Sequence, residues 1–176
     1  MRLPLLCCTL LLAAAPAPAR AQDSAGTDHA HMDHAAHHQG AMPDSGFAAL
    51  QQRGGVYMGV DQTRSAHRFD TLADGGRIEL QSTTGDSADV AAIRRHFETI
   101  ADQFARGDFE TPFAVHAEKV PGTEVMQARR ERISYRLVEL PRGAALRLVT
   151  KDAEALRAIG EFMAYQRREH HAVGQE

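Results

Sequence analysis

Two segments of the chain share one arrangement of polar and apolar residues, and this near-repeat limits the fold to a few possibilities. When residues 67–80 are aligned with residues 135–148, Arg68 falls on Arg136, Gly75 on Gly143 and Leu80 on Leu148. Each segment has two alternating stretches separated by a turn that contains glycine, which is typical of a β-hairpin. The sequence therefore predicts two hairpins.

A helix is predicted after each hairpin. Asp86 or Ser87 can cap the first helix, and Asp152 can cap the second by accepting backbone N–H bonds. Gly107 is expected to end the first helix. Each predicted helix has a stripe of mainly apolar residues at helical spacing. The stripes are Val90, Ile93, Phe97, Ile100 and Phe104 in the first helix, and Leu156, Ile159, Met163 and Gln166 in the second. We predict an α+β fold in which two β-β-α units form a four-stranded antiparallel sheet with both helices on one face.

The segment between the units, residues 108–126, reads as a long loop. One short extended piece is expected at Phe113–His116. Thr123 is expected to cap a short helix that runs through Arg130. A loop of this length in a compact domain is usually functional or disordered, and its proline and aromatic content favours an ordered loop.

The N-terminal third is predicted to lie outside the folded domain. Residues 1–21 have the charge, the apolar run and the small residues of a secretory signal peptide, and no segment is long and apolar enough to span a membrane. Residues 22–60 are polar and are predicted to be a disordered tail, with one or two helical turns at Phe47–Arg53. Residues 61–176 are predicted to form the α+β domain, in a periplasmic or secreted protein.

Charge and cysteine content exclude several classes of function. The signal segment contains Arg2 and Arg20, so 18 of the 20 basic residues remain against 23 acidic ones, which disfavours nucleic acid as a partner. Both cysteines, Cys7 and Cys8, also lie in that segment. A metal bound by the remaining chain would therefore need histidine, methionine or carboxylate ligands.

A histidine tract follows the signal segment and predicts metal binding. Five of the ten residues from 29 to 38 are histidine. Neutral imidazole is the commonest metal ligand in proteins, and Met32 inside the tract and Met42 just after it favour copper, with zinc as the alternative. The alternative interpretation is a solvated linker. The candidate ligands in the tail are His29, His31, His34, His37 and His38.

A second candidate site lies in the predicted domain. His96 falls at the edge of the apolar stripe of the first helix, and His170 continues the stripe of the second. His116 ends an apolar segment, and Met126 follows across a Pro-Gly pair. We predict that His96, His116, Met126 and His170 converge on a metal ion. Each histidine could instead be a packing residue, while His67 is expected to face solvent and His171 to belong to the C-terminal tail.

Seven stretches of the chain carry a resemblance to known sequences: His67–Phe69, Ile93–His96, Phe104–Phe109, Pro112–His116, Pro121–Gly122 with Met126, Ile133–Tyr135 and Phe162–His170. Through them the chain, from His67 to its end, resembles a family of small exported bacterial proteins of unassigned function. The resemblance implies a site at His96, His116 and His170, because the family pattern has histidine at the three matching positions. The family often has a further histidine where this chain has Ala66.

These observations predict a periplasmic metal-binding protein that buffers copper or hands it over, with a periplasmic copper-handling protein as the expected recipient. The tail would collect the ion and the domain would hold it. One alternative is a small exported enzyme, zinc-dependent or using His116 or His96 as a general base, with Asp108, Glu118 or Glu169 as the orienting carboxylate. The other is a non-catalytic partner-binding module. The chain lacks the nucleophile elbow and the zinc-protease motif that would favour an enzyme.

Overall fold

Two β-hairpins, each followed by a long helix, form the centre of the structure, which is a computed structural model that describes residues 45–174. The sheet order is β1-β2-β4-β3, with every neighbouring pair antiparallel. The elements are α1 Ser45–Met58, β1 Ser65–Leu72, β2 Gly75–Ser82, α2 Ser87–Ala105, α3 Glu110–His116, α4 Thr123–Ala128, a 3₁₀ turn Arg130–Arg132, β3 Ile133–Leu140, β4 Gly143–Thr150 and α5 Ala153–Glu169. The predicted fold class is confirmed.

The caps of the two long helices follow the sequence prediction. The Asp86 carboxylate accepts the N–H groups of Ala88 and Asp89 at the start of α2, and the Asp152 carboxylate accepts that of Ala155 at the start of α5. Gly107 has a φ of 78° just after α2, which is the left-handed conformation that ends many helices. Local sequence signals therefore determine where both helices begin and where α2 ends.

The sheet buries one face under α2 and α5. Ile78 and Leu80 of β2 pair with Leu146 and Ala144 of β4, and all four are buried in the core. The intervening residues carry the charges of the opposite face, where Arg77 pairs with Glu79 and Arg147 with Asp74. This two-residue alternation is the pattern that predicts a half-buried sheet.

A glycine lets α5 lie close to the sheet. A Cβ atom added at Gly76 would lie 2.6 Å from the Cε atom of Met163 and 2.9 Å from the Cγ2 atom of Ile159. Both neighbours are fully buried residues of α5. The missing side chain at Gly76 therefore sets how near α5 comes to β2.

The folded part begins earlier than the predicted residue 61. Helix α1 has 14 residues, more than the one or two turns expected at Phe47–Arg53, and lies within the segment assigned to the disordered tail. It packs beside α3: Leu50 is buried, and the Arg53 Nε atom donates to the carbonyl oxygen of Val115 at 2.6 Å. Contacts distant in sequence hold this helix, and its own weak apolar pattern did not predict them.

The segment after α2 was predicted wrongly as a loop with an extended piece at Phe113–His116. It contains helix α3 instead. The Asp108 carboxylate accepts the N–H of Glu110 at 2.9 Å, and Pro112 lies in the first turn, where a helix has no internal acceptor for an N–H. Ala117, with a φ of 57°, ends the helix directly after His116.

The short helix α4 ends at Ala128 rather than Arg130, and a 3₁₀ turn follows. Gly122, not Thr123, is its cap residue. The Thr123 hydroxyl donates to the carbonyl oxygen of Val120 at 2.7 Å, so it does not cap the helix as predicted. Helix α4 packs against α5.

The residues after α5 return to the sheet. His171 has a φ of 48°, and the Phe69 N–H donates to the carbonyl oxygen of Val173 at 3.0 Å, so the C-terminal segment pairs with the outer edge of β1. Across residues 45–174, no helix has the length and apolar content needed to cross a membrane.

Candidate functional site

Four histidines from four different elements surround one cavity. They are His67 of β1, His96 of α2, His116 at the end of α3, and His170 just after α5. The ring centroid of His170 lies 4.6 Å from that of His67 and 5.2 Å from that of His116. His96, His116 and His170, which were predicted to converge on a metal ion, all line this cavity, and His67 lines it as well.

The cavity is small and mostly apolar. Its volume is about 50 Å³. That space holds an ion with a water molecule, and it is far below the roughly 300–1,000 Å³ of sites for organic ligands. Besides the four histidines, its wall contains Met58, Phe69, Ile78, Phe97, Ile100, Phe104, Thr111, Pro112, Val115, Phe162 and Gln166.

The position of His67 corrects the prediction that it faces solvent. His67 and Phe69 lie two residues apart on β1, so both side chains point to the face that α5 covers. Their rings stack with centroids 5.5 Å apart, and His67 is half-buried. The alternation of β1 contained this information, since Phe69 is a core residue.

The end of α5 is tied to β1, and this brings His170 against His67. The Arg167 Nη1 atom donates to the carbonyl oxygen of Phe69 at 3.1 Å and to the hydroxyl of Thr71 at 3.2 Å. The Ala172 N–H donates to the carbonyl oxygen of Arg167 at 2.9 Å, which closes the helix end. His170 therefore lies between β1 and the turn that these hydrogen bonds hold in place.

His116 is held from two sides. The Arg53 side chain of α1 donates to the carbonyl oxygens of Val115 and His116, at 2.6 and 3.5 Å, and so binds the last turn of α3. The Nε2 atom of His116 lies 3.1 Å from the Oε1 atom of Gln166. Because an amide oxygen can only accept, Nε2 donates this bond and Nδ1 keeps its lone pair.

Burial keeps the histidines neutral. It lowers the pKa of His67 to about 3, with further lowering from His96 and His116, and it lowers the pKa of His96 to about 4. It also lowers the pKa of His170 to about 2, with smaller effects from His67 and His116. Burial lowers the pKa of His116 as well, and the bond to Gln166 opposes the shift. At neutral pH every ring therefore offers a lone pair.

The arrangement provides neutral imidazole donors without a closed coordination sphere. Within residues 45–174, no three His, Cys, Asp or Glu side chains are already placed to enclose a metal ion. The rings of His116 and His170 meet edge-on at 85°, and those of His67 and His170 at 41°. Rotation of the side chains would be needed before several nitrogens faced one point.

Met126 does not join the histidines as predicted. It is fully buried in the apolar core and is not part of the cavity wall. The methionine in the wall is Met58, at the end of α1, and its Sδ atom accepts the Gln62 amide at 3.8 Å. Sequence spacing favoured Met126 because α1 was not predicted to reach the site.

The carboxylates considered as orienting groups for a catalytic histidine have other partners. Asp108 accepts the Glu110 N–H, and Glu169 accepts the Arg168 Nε atom at 2.9 Å. Glu118 accepts the Tyr165 hydroxyl. Within residues 45–174, the hydrogen bonds recorded for these three carboxylates therefore go to groups other than His96 and His116.

His171 lies outside the cavity. It is exposed and stacks on Phe47 of α1, with ring centroids 4.3 Å apart. The predicted tail ligands His29, His31, His34, His37 and His38 lie outside the described residues.

Comparison with known proteins gives no match to a family model, to a curated protein or to a solved structure. The resemblance to a family of exported proteins therefore stays a prediction, and the site itself carries the functional argument.

Proposed function

We propose that this chain is an exported metal-binding protein that buffers or hands over copper, and that its domain binds one copper ion among His67, His116 and His170. The observation that carries the proposal is the packing of these three rings around one small cavity. His96 and Met58 line the same cavity and are the additional candidate ligands.

The spacing of the rings supports this proposal. Metal–nitrogen bonds of about 2.0–2.1 Å place the centroids of two imidazoles on one tetrahedral ion about 5 Å apart. The pairs His67–His170 and His116–His170 have centroids 4.6 and 5.2 Å apart. Because these two distances match the expected separation, binding would require the side chains to rotate. It would not require the strand or the helices to move.

The protonation state supports it as well. A metal competes with protons for imidazole, so a ligand that is neutral over a wide pH range binds without first losing a proton. The lowered pKa values of His67, His96 and His170 have this effect. A cluster of neutral histidines that only filled space would be costly, because each ring buries a polar nitrogen.

We prefer copper to zinc because a methionine, Met58, lines the cavity. Thioether is a soft ligand that suits cuprous ion. The tail proposed as collector has the same combination of donors, with Met32 inside the histidine tract. The proposed role is therefore collection by the tail and retention by the domain, from which a periplasmic copper-handling protein would receive the ion.

The test uses the full chain without an affinity tag, in a variant whose tail ligands are removed. In this variant, called the tail-silent chain, His29, His31, His34, His37 and His38 are replaced by asparagine, and Met32 and Met42 by leucine. We expect it to bind one copper ion per chain. Adding His170→Ala is expected to abolish that binding.

His171→Asn is the matched control, because His171 is adjacent in sequence and lies outside the cavity, and asparagine tolerates its positive φ. It should leave copper binding unchanged. Thermal unfolding of each variant shows whether the fold is kept. Copper binding that survives His170→Ala in a folded protein would refute the domain site.

A further inference from the structure

In the part of the chain that the structure describes, no acidic side chain lines the histidine cavity. Its residues are apolar, amide, hydroxyl, thioether and imidazole groups, and no Asp or Glu is among them. Glu118 and Glu169 lie outside the wall and oppose the lowering of the His116 pKa through their charges. Their hydrogen bonds go elsewhere, since Glu118 accepts the Tyr165 hydroxyl and Glu169 accepts the Arg168 side chain. Among the described residues, the groups available for direct contact with an ion in this cavity are therefore neutral, while the charges of Glu118 and Glu169 act from outside the wall.

Neutral donors discriminate between ions by charge. The cost of moving an ion from water into a medium of low polarity grows with the square of its charge, so a divalent ion pays about four times as much as a monovalent ion of the same size. Sites for divalent ions commonly offset this cost with thiolates or carboxylates. Phe69, Phe97 and Phe162 in the wall offer no such compensation.

The chemical types of the donors also favour a monovalent over a divalent ion. Met58 supplies a thioether, and imidazole binds cuprous as well as divalent ions. Cuprous ion also accepts low coordination numbers, so it needs fewer nitrogens turned to one point than a tetrahedral zinc ion does. An arrangement with close rings but no preformed three-ligand cage is suited to that requirement.

We infer that the cavity among His67, His116, His170 and Met58 selects a soft monovalent cation, cuprous ion, against cupric ion and zinc. This inference rests on the proposed function, because it assigns the charge of the ion bound at the same site. The protein would then handle copper in its reduced state.

Silver(I) is the probe, since it has the charge and softness of cuprous ion and does not change oxidation state under the conditions of the assay. Competition titrations on the tail-silent chain compare silver(I), zinc(II) and copper(II). We expect one silver(I) ion per chain, bound at least 100-fold more tightly than zinc(II) and more tightly than copper(II), and lost on His170→Ala.

Met58→Leu tests the thioether, and Met126→Leu is its matched control. Leucine has nearly the volume of methionine, so neither substitution should disturb packing strongly. We expect Met58→Leu to weaken silver(I) binding at least tenfold and to leave zinc(II) binding unchanged. Met126→Leu should change neither, because Met126 lies in the core away from the cavity wall.

The outcomes separate the two levels of the hypothesis. Zinc(II) or copper(II) bound as tightly as silver(I), and lost on His170→Ala, would overturn the selectivity and leave the proposed function in place. Silver(I) binding that is insensitive to Met58→Leu in a folded protein would overturn the part assigned to the thioether. If His170→Ala reduced the binding of none of the three metals, the proposed function itself would be refuted.

Discussion

The imidazole of His116 and the side-chain amide of Gln166 form a buried hydrogen bond, 3.1 Å between Nε2 and Oε1. Gln166 lies one helical turn before His170, whose N–H donates to the Gln166 carbonyl oxygen at 3.0 Å. One turn of α5 therefore supplies an imidazole and also sets the tautomer of a second one. A hydrogen bond of this kind is typical of the partners that orient metal-binding histidines.

Gln166→Leu is expected to lower the affinity of the domain for copper by about 10- to 100-fold, the usual cost of removing such a partner. Without the amide oxygen, the His116 ring can rotate and can carry its proton on Nδ1. The measurement is a competition titration on the tail-silent chain, together with thermal unfolding.

Gln103→Leu is the control for this prediction. Its side chain accepts the Thr111 hydroxyl at 2.8 Å and so also joins two helices, but it makes no bond to an imidazole. Copper affinity should be unchanged in this variant. Equal losses in both variants would show that Gln166 acts only through the packing of the helices.

The metal-free protein is expected to lose stability below a pH of about 6.5. The lowered pKa values mean that the unfolded chain takes up protons at His67, His96 and His170 before the folded chain does, so the free energy of unfolding falls with the pH in this range. For His96, with a pKa of about 4 against 6.5, the loss between pH 7.5 and 5 is about 1–2 kcal/mol.

Urea unfolding of the metal-free chain at pH 7.5 and pH 5 measures this loss, and His96→Leu should reduce it because that variant lacks one of the buried titrating groups. His171→Asn, which replaces an exposed histidine outside the cavity, should lose as much stability between the two pH values as the unsubstituted chain. An unchanged free energy of unfolding at the two pH values would contradict the burial of these rings.

The fold was predictable because its signals are local. The alternation in the strands, the glycines of the turns and the caps Asp86 and Asp152 each act over a few residues, and together they determined the hairpins and long helices. Helix α1 was missed because its stabilising contacts, such as Arg53 to Val115, span 62 residues. No local pattern encodes such a contact.

The site was predictable in part for the same reason. His96 and His170 continue or border apolar stripes, so their direction followed from helical geometry. His67 was assigned to solvent although Phe69, two residues later, marks its face as buried. Met58 lines the cavity in place of the predicted Met126 because of where α1 packs, and that packing is a property of the tertiary structure.

Gly76→Ala is expected to lower the free energy of unfolding by about 1–3 kcal/mol, the typical cost of overpacking a core. The added methyl group would meet the side chains of Met163 and Ile159 at less than 3 Å. Gly55→Ala is the contrast, since the nearest atom to its Cβ position is 4.0 Å away and alanine favours a helix.

Urea unfolding of both variants measures the two effects. Gly55→Ala should raise the free energy of unfolding by up to about 1 kcal/mol. If Gly76→Ala were as stable as the unsubstituted chain, α5 would lie farther from β2 than the structure indicates.

Arg53→Ala is expected to weaken copper binding although the side chain does not line the cavity. It removes the donors to the carbonyl oxygens of Val115 and His116, so the last turn of α3 is released from α1. Tyr57→Ala, an exposed change on the same helix, should leave binding unchanged. Copper titration of the two variants in the tail-silent chain distinguishes anchoring by Arg53 from a general effect of α1.

Acid should separate the two proposed copper sites. A histidine in a solvated tail has a pKa near 6.5, so at pH 5.5 protons compete with copper for most of its rings. In the domain the pKa values of His67 and His170 are lowered to about 3 and about 2, so these rings stay neutral and available.

Titration calorimetry of the full chain should give a higher copper stoichiometry at pH 7.5 than at pH 5.5. At the lower pH about one ion per chain should remain, and it should disappear with His170→Ala. Equal stoichiometry at both pH values would contradict a histidine-dominated tail, and loss of every ion at pH 5.5 would contradict the domain site.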